Sequence, residues 1–144
     1  MSMNGTKAFG LHLDATLKVI KQDLTRRFRE QGIDLTPEQY ALLAELASRG
    51  ELAQKELAKS TFKDAPTVSR IIDLLVKKGW INRSADTDDR RKYILTLTPA
   101  GQAIFETAAP IVHAAREVGW QGLTEEDYSR LKHILDRVVE NIQG

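Results

Sequence analysis

Two short stretches of the sequence combine hydrogen-bonding side chains with arginine. Residues 65–70 read Ala-Pro-Thr-Val-Ser-Arg, and residues 86–92 place three carboxylates beside three cations in the order Asp-Thr-Asp-Asp-Arg-Arg-Lys. Hydroxyls and a guanidinium can hydrogen-bond to base edges or phosphates, and small neighbouring side chains allow close approach. A carboxylate beside two arginines can hold one of them through an ion pair and orient the pair. These residue types indicate recognition of a polar, anionic surface.

The sequence offers little for catalysis or metal binding. It contains no cysteine, which excludes disulfides, thiolate nucleophiles and thiolate metal ligands. His12, His113 and His133 are spread along the chain; His133 and Asp136 form an i,i+3 pair, which is more typical of a surface helix than of a ligand set. No phosphate-binding glycine loop, H-E-x-x-H or G-x-S-x-G run is present. We therefore predict no enzymatic activity, no metal site and no cofactor.

Charge is unevenly distributed along the 144 residues, although the formal net charge is only +1. Between Arg49 and Lys92 there are eleven Lys/Arg and seven Asp/Glu, a balance of +4, whereas the remainder has ten against thirteen, a balance of −3. No window approaches the roughly 20 apolar residues of a membrane span, and the N-terminus lacks the features of an export signal. We expect a cytoplasmic protein whose central segment meets an anionic partner.

Helical periodicity surrounds the two polar stretches. Apolar residues recur at three- and four-residue steps over about 9–28, and Thr36, Asp64, Thr98 and Thr124 each stand where a helix N-cap is expected. Gly32 and Gly79 are predicted to end helices, and Pro110 to bend one. The segments WINRS and YILTLT are typical of β-strands and are joined by the polar ADTDDRRK segment. The predicted order is four helices, two strands and two helices.

Two short helices followed directly by a β-hairpin are typical of a winged helix-turn-helix, in which the second helix enters the major groove of DNA and the hairpin reaches the minor groove. The predicted fold class is mainly α with a small β-hairpin wing. The recognition helix is expected over about Asp64–Lys78 and the wing over about Ser84–Lys92.

A family resemblance covers nearly the whole chain. Residues 67–75 (TVSRIIDLL), 77–83 (KKGWINR), 89–91 (DRR) and 97–101 (LTPAG) at these spacings closely resemble the pattern of the MarR (multiple antibiotic resistance regulator) family. The sequence departs from that pattern at Thr87, where the family often has proline, and at Val76, where it often has glutamate. The first departure concerns the shape of the wing tip and the second removes a surface ion pair.

The resemblance implies a transcription regulator that binds a pseudo-palindromic operator as a homodimer. It implies a single domain in which residues 36–97 form the winged helix-turn-helix lobe and residues 9–30 and 99–142 supply dimerisation helices. The apolar stripes of these terminal segments also exceed what a small lobe can cover, which independently favours a partner chain. Many such proteins are repressors of nearby genes that release DNA when a small molecule binds.

These considerations define the predicted site residues. The DNA-binding set is Gln54, Lys55, Lys63, Ala65, Pro66, Thr67, Ser69, Arg70, Arg90, Arg91 and Lys92. A small aromatic or amphipathic effector is predicted to contact His12, Thr16, Tyr40, Phe62 and Trp120, although these side chains are also suited to ordinary packing. The alternative function is a winged-helix module that binds proteins and has no specific DNA contacts.

Overall fold

The computed structural model describes residues 6–61 and 64–144, and Phe62 and Lys63 therefore lie outside the described residues. It is mainly helical, with a small three-stranded sheet. In chain order the elements are α1 Phe9–Glu30, α2 Pro37–Arg49, β1 Glu51–Ala53, α3 Gln54–Ser60, α4 Ala65–Lys77, β2 Ile81–Ala85, β3 Tyr93–Leu97, α5 Pro99–Gly119 and α6 Glu125–Gln143. The predicted fold class is confirmed: the helices and the β2–β3 hairpin follow one another as in a winged helix-turn-helix.

The helix ends lie where the local sequence predicts them. Thr36 and Gln39 form a reciprocal capping box at the start of α2. After α1, Gly32 has φ +70° and its N–H donates to the Arg29 carbonyl, while Ile33 donates to Phe28. Gly79 has the same role after α4, with φ +79°. These left-handed glycines end the helices in Schellman motifs and set the direction of the chain that follows.

The sheet contains one strand more than the sequence predicted. β1 pairs antiparallel with β3 through Leu52 and Leu95, so that the strand order is β1-β3-β2. Ala53, the last residue of β1, is also the N-cap of α3. Leu52 and Leu95 are both buried, and β1 covers the edge of β3 that does not pair with β2.

The chain divides into two compact units, one ending at Val112 and the other comprising His113–Gly144. In the first unit, α2, α3, α4 and the sheet enclose a core. Its largest fully buried side chains are those of Phe28, Leu42, Leu43, Leu46, Leu57, Ile72, Leu75, Ile81, Leu95 and Val68. The interior of this lobe fixes α4 and the hairpin.

The start of α5 is fastened to the turn that follows α4. The Thr98 hydroxyl donates to the Gly79 carbonyl at 2.6 Å, and the Thr98 N–H donates to the Trp80 carbonyl at 3.1 Å. The Gly101 N–H donates back to the Thr98 hydroxyl at 3.0 Å, which caps α5. A Cβ on Gly101 would stand 2.0 Å from the Trp80 carbonyl oxygen, so only glycine fits this approach.

In the second unit, α6 begins at a capping box formed by Thr124 and Asp127 and buries none of its residues. Its apolar side chains are left open, among them Leu131, Ile134 and Ile142, which is 79% exposed. Trp120 and Tyr128 meet edge to face at 5.5 Å. None of the described helices is long and apolar enough to cross a membrane.

Candidate nucleic-acid interface

The first turn of α4 is organised by Asp64. Its carboxylate accepts the Thr67 N–H at 3.1 Å and the Thr67 hydroxyl at 2.6 Å. The hydroxyl bond, then the backbone bond, lower the pKa of Asp64 below its ordinary value of 3.8, and attraction from Arg70 adds to the effect. The carboxylate therefore stays charged and holds this turn of the helix in place.

The two sides of α4 differ in the way the sequence predicts. Val68, Ile72 and Leu75 are buried in the lobe. The opposite side presents the predicted DNA-contacting residues, of which Ala65, Pro66 and Arg70 are exposed and Thr67 and Ser69 are half-buried. Further along, Arg70, Asp73, Leu74 and Lys77 line a shallow depression. Arg70 is thus free to extend from α4.

The tip of the β2–β3 hairpin is folded on its own carboxylates. Asp86 N–H donates to the Lys92 carbonyl at 2.9 Å and closes the loop. The Asp89 carboxylate accepts the Arg91 N–H at 3.0 Å and the Arg91 Nε at 3.3 Å. Of the two predicted arginines, Arg91 is therefore the one held by a carboxylate, although its side chain remains 92% exposed.

Electrostatic interactions favour the charged form of Asp89 at this tip. The Arg91 backbone N–H, followed by its side chain, lowers the pKa of Asp89, with further attraction from Lys92 and Lys55. Arg90 is exposed and makes no ion pair within residues 6–61 and 64–144. The tip thus presents one oriented and one unrestrained guanidinium.

The remaining predicted phosphate contacts occupy two other places. Lys55 is exposed on the first turn of α3, and Lys92 is exposed at the foot of the wing tip. Gln54 is half-buried, with its Oε1 enclosed and without a hydrogen-bond partner in the described part of the chain. Lys63 lies outside the described residues.

Sequence reasoning missed an ion pair between α4 and the hairpin. Arg83 of β2 pairs with Asp73 of α4, and its guanidinium carbon lies 5.5 Å from the ring centroid of Tyr93. The signal for this contact was present in the alternation of β2. Arg83 shares a strand face with the buried Ile81, and a charged residue on an inward face requires a partner.

The predicted effector residues have varied surroundings. His12 and Thr16 are exposed one turn apart on α1, where the Thr16 hydroxyl donates to the His12 carbonyl. Tyr40 is buried, stacked on Phe105 with ring centroids 5.8 Å apart. Trp120 belongs to the second unit, and Phe62 lies outside the described residues. The effector site therefore stays a prediction.

A shallow depression on α1 does not coincide with these residues. It is lined by Asp14, Leu17, Lys18, Lys21, Gln22, Thr25, Arg26 and Arg29. In the described ranges, no three histidine, aspartate or glutamate residues come together in a way that could hold a metal ion.

Comparison with known proteins places this geometry in a family. The MarR family model matches residues 35–93, which run from just before α2 through β1, α3, α4 and β2 to the first residue of β3. The HTH-type transcriptional repressor MdtR of Bacillus subtilis is 30% identical over 130 residues, or 90% of this chain and 83% of MdtR.

Two solved protein–DNA complexes share the fold. A mutant MarR of Escherichia coli in complex with operator DNA is 25% identical, with a TM-score of 0.72, over 91% of this chain and 96% of that one. The MepR–DNA complex of S. aureus is also 25% identical, with a TM-score of 0.81, over 92% and 97% of the two chains. This chain belongs to the MarR family, whose members are transcriptional regulators and not enzymes.

Proposed function

We propose that this protein is a homodimeric repressor that binds a pseudo-palindromic DNA operator through α4 in the major groove and the wing, residues 84–92, in the minor groove. The observation that carries the proposal is the paired presentation of Arg70 on the exposed side of α4 and Arg91 at the hairpin tip. The DNA-bound relatives of the same fold support it.

In the major groove, Arg70 is proposed to contact base edges directly, because a guanidinium pairs bidentately with guanine O6 and N7. Ala65 and Pro66 are short and exposed, which lets the start of α4 approach the bases. The hydrogen of the Thr67 hydroxyl is already donated to Asp64, so Thr67 offers DNA its lone pairs and its methyl group. Ser69 adds a second hydroxyl nearby.

In the minor groove, we assign the inserted cation to Arg91. Asp89 uses one nitrogen of that guanidinium, Nε, and leaves the two terminal nitrogens available to DNA. A side chain that is oriented before binding loses less conformational entropy on binding than an unrestrained one. Arg90, together with Gln54, Lys55, Lys63 and Lys92, is assigned to the phosphate backbone.

The homodimer is proposed from the uncovered apolar surface at both ends of the chain. On α1, Leu11, Val19 and Ile20 are each more than half exposed, and α6 buries no residue. A second copy related by a two-fold axis would cover such faces and present two lobes to two half-sites. Residues 9–30 and 99–142 are the proposed dimerisation segments, and residues 36–97 the DNA-binding lobe.

Release by a small aromatic or amphipathic effector is part of the proposal. The exposed His12, Thr16 and Trp120 are the candidate contacts, with Tyr40 and Phe62 as further wall residues. A thermal-shift screen with phenolic carboxylates tests this element. A compound that stabilises the protein and weakens its DNA complex is expected, and a screen without such a compound would remove the effector from the proposal.

The DNA-binding proposal is tested by selecting duplexes from a randomised library and titrating them against variants. Arg70→Ala should cost about 1–3 kcal/mol on the selected duplex and relax base preference. Lys55→Ala should weaken binding to selected and random duplexes alike. It should also reduce the slope of log affinity against log salt concentration by about one. If wild type selects no sequence, the protein-interaction alternative is favoured; equal losses for Arg70→Ala on both duplexes would refute its reading role.

The wing assignment has a matched pair of variants. Arg91→Ala should remove protection of the minor groove in hydroxyl-radical footprints, whereas Arg90→Ala should weaken binding without altering the footprint pattern. The reverse result would transfer the inserted role to Arg90.

A further inference from the structure

Arg83 connects α4 to both strands of the β2–β3 hairpin. It stands opposite Leu95 in the β2–β3 register, and Tyr93 lies two residues away on the same face of β3. Its side chain is only 23% exposed, since it lies between the Asp73 carboxylate and the Tyr93 ring. Arg83 is therefore engaged inside the lobe, unlike the free Arg70.

Asp73 lies in an unfavourable place for a DNA-binding helix. It lines the same depression of α4 as Arg70, Leu74 and Lys77, and its side chain is 60% exposed. An uncompensated carboxylate at this position would face the phosphates that α4 must approach, and like charges at an interface oppose association. The partner of Asp73 therefore matters for binding.

The ion pair is not explained by stability alone. The mostly enclosed Arg83 requires a partner for stability, but Asp73 is open to solvent, where an ion pair contributes little to the free energy of unfolding. The benefit of neutralising Asp73 is larger when a polyanion is close to it, because the low-dielectric contact strengthens the repulsion that Arg83 removes.

We infer that Arg83 is a positioning residue for DNA binding, which acts by masking the charge of Asp73 so that α4 can enter the groove, and not by contacting DNA itself. The inference rests on the proposed function. It assigns a role to Arg83, the one arginine in β2 and β3. It also implies that Asp73, without its partner, would repel the phosphates of DNA.

The test is a double-variant cycle measured on the full-length protein with the duplex that wild type selects from a randomised library. Arg83→Ala should weaken binding roughly tenfold, the effect of one uncovered charge near DNA. Asp73→Asn should bind about as well as wild type, and the combination of the two should regain most of the lost affinity. Arg83→Lys, which keeps the charge, should also bind well.

Asp88→Asn provides the matched control, because it changes the net charge by the same amount on an exposed wing residue whose carboxylate is not paired with Arg83. Its effect should simply add to that of Arg83→Ala, whereas Asp73→Asn should be strongly non-additive. Thermal denaturation of each variant confirms that the lobe is folded.

Two results would overturn the inference. One is an Arg83→Ala loss that Asp73→Asn does not relieve, which would indicate a direct phosphate contact by Arg83. The other is equal relief by Asp88→Asn, which would indicate a general charge effect. Both differ from failure of the proposed function, in which wild type would select no sequence.

Discussion

The two compact units of this chain differ in how far they bury their apolar side chains. Every fully buried apolar side chain of the described residues, from Phe28 to Ala108, lies in the unit that ends at Val112. In His113–Gly144, comparable side chains such as Leu131 and Ile134 remain about half exposed. Burial is the main source of stability for a folded domain. The lobe therefore buries its own core, whereas α6 leaves its apolar side chains uncovered within this chain.

The largest expected effect comes from placing a charge on the uncovered helix. Ile134→Glu should weaken the proposed dimer by at least about a hundredfold, because each chain loses the burial of one isoleucine and gains a buried carboxylate. Sedimentation equilibrium measures this change, and His133→Glu on the same helix is the control. A wild-type monomer, or an undiminished Ile134→Glu dimer, would contradict the comparison.

The next effect concerns the self-sufficient lobe. Ile72→Ala should lower the free energy of unfolding by about 2–5 kcal/mol, since it opens a cavity in a fully buried core. Leu74→Ala, two residues away and 50% exposed in wild type, should change it by less than about 1 kcal/mol. Urea denaturation at one fixed protein concentration compares the two. Similar losses would mean that Leu74 is also covered.

Two glycines should respond with opposite signs. Gly101→Ala should cost about 1–3 kcal/mol or more, because its new Cβ collides with the Trp80 carbonyl. Gly119→Ala meets no atom within 4 Å and should stabilise the protein by up to about 1 kcal/mol through a less flexible unfolded chain. The melting temperatures of the two variants, each compared with wild type, measure these opposite changes in stability. A stabilised Gly101→Ala would show that the junction after α4 can open.

The smallest effect is a pH dependence in the cap of α4. The pKa of Asp64 is lowered in the folded protein, so its contribution to stability is complete above the ordinary value of 3.8 and is lost as pH falls below it. The melting temperature of wild type should therefore decline more steeply below pH 3.8 than that of Asp64→Asn. Thr67→Val, which removes the hydroxyl donor, should flatten the decline. Parallel curves for all three would contradict the assignment.

Local rules predicted most of the lobe. Thr36, Asp64 and Gly79 act on neighbours within a few residues, so their capping roles could be read directly from the sequence. The strand β1 could not be predicted in this way, because three residues with little β character become a strand only through pairing with β3, more than forty residues later. Long-range pairing is invisible to local periodicity.

The candidate interface shows the same limit. The exposed side of α4 follows from helical periodicity once its buried stripe is assigned, and Arg70 is found there. The contact between Arg83 and Asp73 depends on how the hairpin packs against α4, which no pattern within either element specifies.

The hydrogen bonds between the start of α5 and the turn after α4 restrict the sequence differently on their two sides. On the turn side they use only carbonyl oxygens, those of Gly79 and Trp80, and any residue at position 80 would supply the second of them. On the helix side they require a hydroxyl at Thr98 and the absence of a side chain at Gly101. A substitution of Trp80 would therefore leave these hydrogen bonds in place, whereas the first turn of α5 is restricted to a narrow choice of residues.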